Sequence, residues 1–171
     1  MDEPQRGAAP RDSVHRDILQ RGLWFEEFEV GARDLHRPGR PVTEADNVLF
    51  TTLTMNTQAL HLDAAFAATQ PFGQRLVNSM FTLSTMVGSS VAQLTQGTLV
   101  ANLGFGETTF PAPLFLGDTL YASTIVQEKR LSKSRPGQGL VVLRHVGRNQ
   151  DDAIVATAVR TTLVWCERIE E

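Results

Sequence analysis

The sequence predicts an α+β domain in which one long, buried helix lies along an antiparallel sheet, and three observations lead there. Between Asn78 and Gln96, Met80, Phe81, Leu83, Met86, Val87, Val91 and Leu94 recur at helical spacing, without a single Asp, Glu, Lys or Arg. A helix that lacks a charged face is normally buried. From Gly97 onward the pattern changes to strands, and the turns between the later ones are short enough to demand antiparallel pairing. At 171 residues, with 42% hydrophobic and 20% charged, the chain has material for one core and not two.

Residues 1–21 carry Pro4, Gly7 and Pro10 among mixed charges without periodicity, which predicts a flexible N-terminal arm, with room for a short helix over Ser13–Gln20. The domain is expected to fill residues 22–171. Trp24, Phe25 and Phe28 stand among three glutamates and cover one end of the core before Gly31 turns the chain. Pro38, Gly39 and Pro41 suit an edge strand over Arg33–Val42 and forbid a helix there. Thr43 followed by Asp46 marks a helix start, and Val48, Leu49, Thr52 and Leu53 carry it to about Met55. Asn56–Leu60 then forms a loop. A second short helix begins at Asp63 and ends before Pro71, Phe72 and Gly73. After the long helix, strands are expected over Thr98–Phe110, Thr119–Lys129, Leu140–Asn149 and Ile154–Trp165 as a meander, with Pro111–Pro113 and the Asn149–Asp152 turn as breaks.

Charge and composition exclude several functions. A net charge of −3 argues against nucleic acid as the partner, and no apolar run is long enough to span a membrane. The first residues lack the apolar core of a secretory leader. Cys166 is the one cysteine, so neither an intrachain disulfide nor a thiolate zinc cluster is expected, and a reducing cytoplasm fits. Metal-ligand spacing, a phosphate loop and a nucleophile elbow are all missing from the sequence.

The stretch Thr54–Asp63, TMNTQALHLD, is the candidate site. It sets Asn56 five residues before His61, with Gln58 between them and Asp63 just after, flanked by apolar helical patterns. Polar groups this dense need each other or a ligand. A single histidine next to a helix is more often structural than catalytic, and so is His61 taken alone. Asn56 fits a left-handed residue leaving the helix or a site amide, and the two are compatible. Asp63 fits a helix cap. Met80, Phe81, Met86 and Val87 read as core, while His15, His36 and His145 read as surface or structural.

Taken with Phe66-Ala67, Phe72-Gly73, the NSMFTLS helix start at Asn78 and FPAPLFLGD from Phe110 to Asp118, this stretch resembles the MaoC-like hydratases of the hot-dog fold over about residues 22–166. That resemblance implies a single hot-dog fold, a long central helix wrapped by an antiparallel sheet. The implied activity is water addition to, or removal from, an acyl-CoA thioester. It places His61 as the main acid and base. Asn56 holds the position where the family has an aspartate, which leaves an amide to orient water and Asp63 or Glu44 as carboxylates that could assist. Asn78 and Ser79 replace the usual His-Gly, with the Ser79 N–H at the positive helix end as a donor to the thioester carbonyl. Ser84 falls at a pocket-lining position. Closest in pattern is the mesaconyl-CoA and itaconyl-CoA hydratase-like subgroup, for whose second carboxylate Asn56, Gln58, Asn78 and Arg75 are donors. The resemblance further implies no cofactor beyond the CoA of the substrate, and a homodimer or higher homo-oligomer.

Lys129, Arg130, Lys133 and Arg135 gather four of the 16 basic residues into one turn between strands. That turn is expected to be either a clamp for the CoA phosphates or a solvated hairpin. Two other functions share the fold or the binding: a hot-dog thioesterase, against which the absence of an acid on Asn78–Gln96 counts, and a non-catalytic acyl-CoA-binding homologue that has lost the aspartate.

Overall fold

The computed structural model describes residues 17–167. Residues 1–16 of the expected arm, with His15 and most of the Ser13–Gln20 helix, lie outside the described residues, and Asp17–Gln20 are not helical. Among the described residues, backbone hydrogen bonding to the body of the domain begins at Gly22. Its N–H donates to Gln96 O at 2.7 Å, and a Cβ there would lie 2.4 Å from the Thr95 nitrogen. A single 3-10 turn, Phe25–Glu27, then buries Phe25, with Phe28 just beyond it fully enclosed.

β1 (Arg33–Pro41) is an edge strand, as the prolines require. α1 (Glu44–Leu53) begins at a complete capping box: Thr43 Oγ1 accepts from Asp46 N–H, and the Asp46 carboxylate accepts from Thr43 N–H. It ends two residues earlier than expected, and Met55, not Asn56, takes the left-handed conformation at φ 60°. α2 (Ala59–Leu62) is a single turn where a loop was expected to run into Asp63, and α3 (Ala64–Ala68) follows with Asp63 as its cap. α4 (Ser79–Leu94) is the central helix.

The sheet is built from β1, β2 (Leu99–Thr109), β3 (Thr119–Leu131), β4 (Gln138–Arg148) and β5 (Ile154–Trp165) in the order β1-β3-β4-β5-β2, with every pairing antiparallel. The expected meander holds for β3-β4-β5 alone. β2 pairs with β5 at the far edge, and the Pro-rich segment after it crosses the sheet to reach β3.

α4 lies against β3, β4 and β5 and buries Phe81, Met86 and Leu94. It is not buried all round. Met80, Ser84, Gly88 and Ala92, spaced at i, i+4, form an outward stripe, and Met80 is 47% exposed, contrary to its reading as core. One sheet covers one side of a helix, and small neutral residues on the other side carry no charge to betray their exposure.

Two apolar clusters fill the interior. One gathers Val42, Val77, Phe81, Met86 and Leu120 near the start of α4, and the other Phe25, Phe28, Leu94, Val141 and Leu143 near its end. Polar groups also enter the interior. His36 joins Gln93 through Nδ1 and Thr124 Oγ1 through Nε2 at 2.7 Å, and Thr124 meets His145 Nδ1 at 2.8 Å. The two histidines read as isolated in sequence are thus linked through one hydroxyl. His145 is wholly enclosed, and burial first, then the Arg160 and His36 charges, push its pKa down to about 3.

Candidate active site

His61 is brought to the interior by α2 and is 9% exposed. Its Nδ1 lies 2.9 Å from Leu76 O. A carbonyl can only accept, so Nδ1 carries a proton, and in the neutral ring the lone pair is on Nε2. The same carbonyl receives a hydrogen bond from Asn47 Nδ2 at 3.3 Å, and that Nδ2 donates to His61 O at 3.0 Å. Asn47 Oδ1 accepts from Asn78 N–H at 2.9 Å. One fully buried amide on α1 therefore ties the histidine, the Leu76–Asn78 segment and the start of α4 into a single unit. Asn47 escaped the sequence reading because the apolar residues that mark α1, Val48, Leu49 and Leu53, are exposed, while the buried residues of the helix are the polar Asn47 and Thr51.

Asn78 caps α4, its Oδ1 accepting from Met80 N–H at 2.9 Å, while its Nδ2 is buried without a partner. Ser79 follows as the first helical residue, where backbone N–H groups lack an intrahelical acceptor and the helix dipole is positive. Beside it a cavity of about 240 Å3 is lined by Phe72, Val77, Ser79, Thr82, Phe110 and Val155 together with Pro111–Leu114. The FPAP segment is anchored there by Val77 N–H donating to Leu114 O at 2.9 Å and by the Leu76–Phe115 bridge. Thr82 is a lining residue that the sequence reading missed.

The other predicted site residues divide. Gln58 caps α2 and accepts from Ala59 N–H, while Asn56 is exposed on the chain entering that turn. The Asp63 carboxylate is engaged as the α3 cap, accepting from Phe66 N–H at 2.9 Å. Arg75 donates to Glu44 at 2.6 Å, and this bond and charge hold the Glu44 carboxyl below its usual range. Glu44 and Arg75 are thus paired with each other through one nitrogen and one oxygen. Ser84 lies on the outward stripe of α4 and not in the cavity, because it is two residues round the helix from Thr82.

The basic turn is not at this site. Lys129, Arg130, Lys133 and Arg135 belong to the β3–β4 hairpin beside Phe25, whereas Leu76, Phe115 and His61 lie at the opposite end of β3. β3 runs its length between them, roughly 40 Å at about 3.3 Å per residue. Lys129 Nζ is occupied by the carbonyls of Phe25 and Glu26 and lies 5.1 Å from the Phe25 ring centroid. A contiguous basic run in sequence says nothing about which end of a strand it occupies. No group of three or more His, Cys, Asp or Glu is placed to hold a metal ion among the described residues, and none of their helices is long and apolar enough to cross a membrane.

The chain is 31% identical over 144 residues to the β-methylmalyl-CoA dehydratase of Chloroflexus aurantiacus, covering 84% of this chain and 40% of that one. It is 30% identical over 144 residues to the mesaconyl-CoA hydratase of Cereibacter sphaeroides, covering 84% and 41%. The chain thus spans about two fifths of the length of these relatives. A Mycobacterium tuberculosis protein described as a double hot-dog fold superimposes with a TM-score of 0.77 at 22% identity, over 88% of this chain and 46% of that one. The helix wrapped by a five-stranded antiparallel sheet is accordingly the hot-dog fold. Residues 27–147, which hold the His61 turn, the α4 start and the FPAP segment, match the MaoC like domain, and the chain belongs to the MaoC-like dehydratase family.

Proposed function

We propose that this chain is a hydro-lyase that adds water to, or removes it from, the α,β double bond of an enoyl-CoA thioester. The observation that carries the proposal is His61 Nδ1–H held on Leu76 O, which ties the α2 histidine to the segment that leads into the α4 start and, in the neutral ring, leaves Nε2 as the base. Nε2 takes a proton from water as its oxygen bonds to the β-carbon. The electron pair moves to the thioester oxygen, which the Ser79 N–H at the dipole end stabilises. The imidazolium then returns the proton to the α-carbon, so one water is added and His61 is restored. Asn56 orients the water but takes no proton from it, because an amide has no basic pair at neutral pH. The chemistry runs on side-chain and backbone groups, with CoA as part of the substrate.

The acyl group proposed is a branched C5 dicarboxylyl unit of the mesaconyl or itaconyl type. The relatives' names support this, and so does a cavity of about 240 Å3, small beside the roughly 300–1,000 Å3 of sites for drug-sized ligands. The buried, unpartnered Asn78 Nδ2 is the donor offered to the second carboxylate. The chain is proposed to work as a homodimer or higher homo-oligomer, because the α4 stripe and the edge strand β2, with Leu103 and Phe105 at 52% and 43% exposure, are apolar surfaces left open.

The test mixes the protein with mesaconyl-, itaconyl- and crotonyl-CoA and follows mass. Gain of one water on a C5 substrate supports the proposal, whereas release of free CoA points to a thioesterase and binding without turnover to an acyl-CoA-binding homologue. His61→Ala is expected to lower turnover about 10²–10⁴-fold. Hydration that survives this change removes His61 from the mechanism.

A further inference from the structure

On the face of the sheet turned away from α4, a second cavity of about 250 Å3 opens between β1, β3 and the β4–β5 turn, with Arg33, Arg37, Tyr121, Ser123, Arg148 and Asp152 in its walls. Its three guanidinium groups come from two distant parts of the chain. Arg33 and Arg37 stand on the edge strand, and the register sets Arg148 opposite Tyr121. Arg37 lies over the Tyr121 ring at 5.1 Å and donates to the carbonyls of His36 and Ala122 at 3.0 and 3.3 Å. The ring is fixed from the strand side as well, since a Cβ on Gly39 would stand 2.5 Å from its Cε1. Arg148 donates to Asp152 O at 2.6 Å, with the Asp152 carboxylate at 3.4 Å.

Backbone carbonyls thus position Arg37 and Arg148, and a carboxylate stands by Arg148 alone. Among the described residues the ion pairs engage Arg21, Arg40, Arg75 and Arg148, so Arg33 and Arg37 have no acidic partner. Three guanidiniums against one carboxylate leave two positive charges in a chain whose net charge is −3. Like charges gathered this way repel unless an anion joins them, and the guanidinium fork matches phosphate oxygens in pairs. The surplus of two equals the charge of a phosphate monoester. A volume below roughly 300 Å3 admits such a group with a small substituent and not a whole drug-sized ligand. The geometry points to a phosphate-binding site: this cavity takes the phosphate monoester group of a small molecule, on the opposite face of the sheet from His61. The group comes from the ribose 3′-phosphate of CoA or from a separate phosphorylated metabolite.

The experiment titrates the full chain with inorganic phosphate by calorimetry at constant ionic strength, with chloride as the balancing anion. Saturable 1:1 binding is expected, weakened about tenfold in Arg33→Gln, which forfeits one charged donor, and unchanged in Lys133→Gln on the distant hairpin. The Arg33 side chain makes no hydrogen bond among the described residues, so its variant is expected to keep the wild-type melting temperature. Absence of saturable binding beyond the chloride control overturns the proposal, as does equal affinity in Arg33→Gln and the Arg33→Gln/Arg37→Gln double variant. Competition then names the source. Displacement of phosphate by CoA but not by dephospho-CoA assigns the site to the 3′-phosphate, and displacement by neither assigns it to a separate metabolite. Equal displacement by both shows that a monoester is not what the cavity selects, and overturns the proposal as well.

Discussion

Replacing Asn47 by aspartate tests whether one buried amide organises the site. In the native chain Nδ2 donates to His61 O and Leu76 O while Oδ1 accepts from Asn78 N–H. Asn47→Asp keeps the acceptor and loses both donations. Leu76 O retains the bond from His61 Nδ1, so His61 O is the group left without its side-chain donor. One deprived buried carbonyl and a buried carboxylate facing two carbonyl lone pairs cost about 2–4 kcal/mol at neutral pH, out of a typical 5–15 kcal/mol of total stability. Burial raises the carboxyl pKa in the folded state above its unfolded value of about 3.9. The folded variant then binds the extra proton, so its stability is regained below the folded pKa and lost as pH rises through it. A protonated carboxyl also recovers one O–H donor toward the two carbonyls. Urea midpoints of wild type and Asn47→Asp, measured from pH 7 to pH 4, are therefore expected to converge on acidification. A gap that stays constant or widens would refute the hydrogen-bond account.

The remaining predictions touch other parts of the fold. His145, held at about 3 against an ordinary 6.5, is neutral in the folded state and protonated in the unfolded state between those values. Its contribution to stability is present above 6.5 and is lost as pH falls toward 3, by at most about 5 kcal/mol. The acid loss measured by urea denaturation is expected to be smaller in His145→Asn than in wild type, and an equal loss assigns it elsewhere. Gly139→Ala places a Cβ 2.0 Å from the Phe25 ring, an overpacking expected to cost about 1–3 kcal/mol. In a Phe25→Ala background the same change is expected to be near neutral, which a double-mutant cycle checks.

Local patterns were legible wherever a few neighbouring residues fix the outcome. The Thr43–Asp46 box, the Asp63 cap, the edge position of the proline-bearing β1 and the span of β5 all depend on chemistry within about a helical turn or on strict alternation. The polar stretch around His61 was legible for the same reason, because its density violates the apolar periods on either side. By itself the sequence thus determined the central helix, the strands and the polar stretch that holds His61, but not the helical turn α2 within that stretch.

Tertiary structure alone decided what those elements do to one another. The order β1-β3-β4-β5-β2 sends β2 to the far edge, a long-range pairing that no local turn encodes. It set the basic hairpin at the opposite end of β3 from His61 and turned Ser84 outward, while drawing Arg33, Arg37 and Arg148 into one cavity. It also reached across 31 residues to join Asn47 to Asn78. Such contacts arise from how a sheet curls over a helix, and their partners are separated by too much chain for periodicity, capping or turn chemistry to pair them.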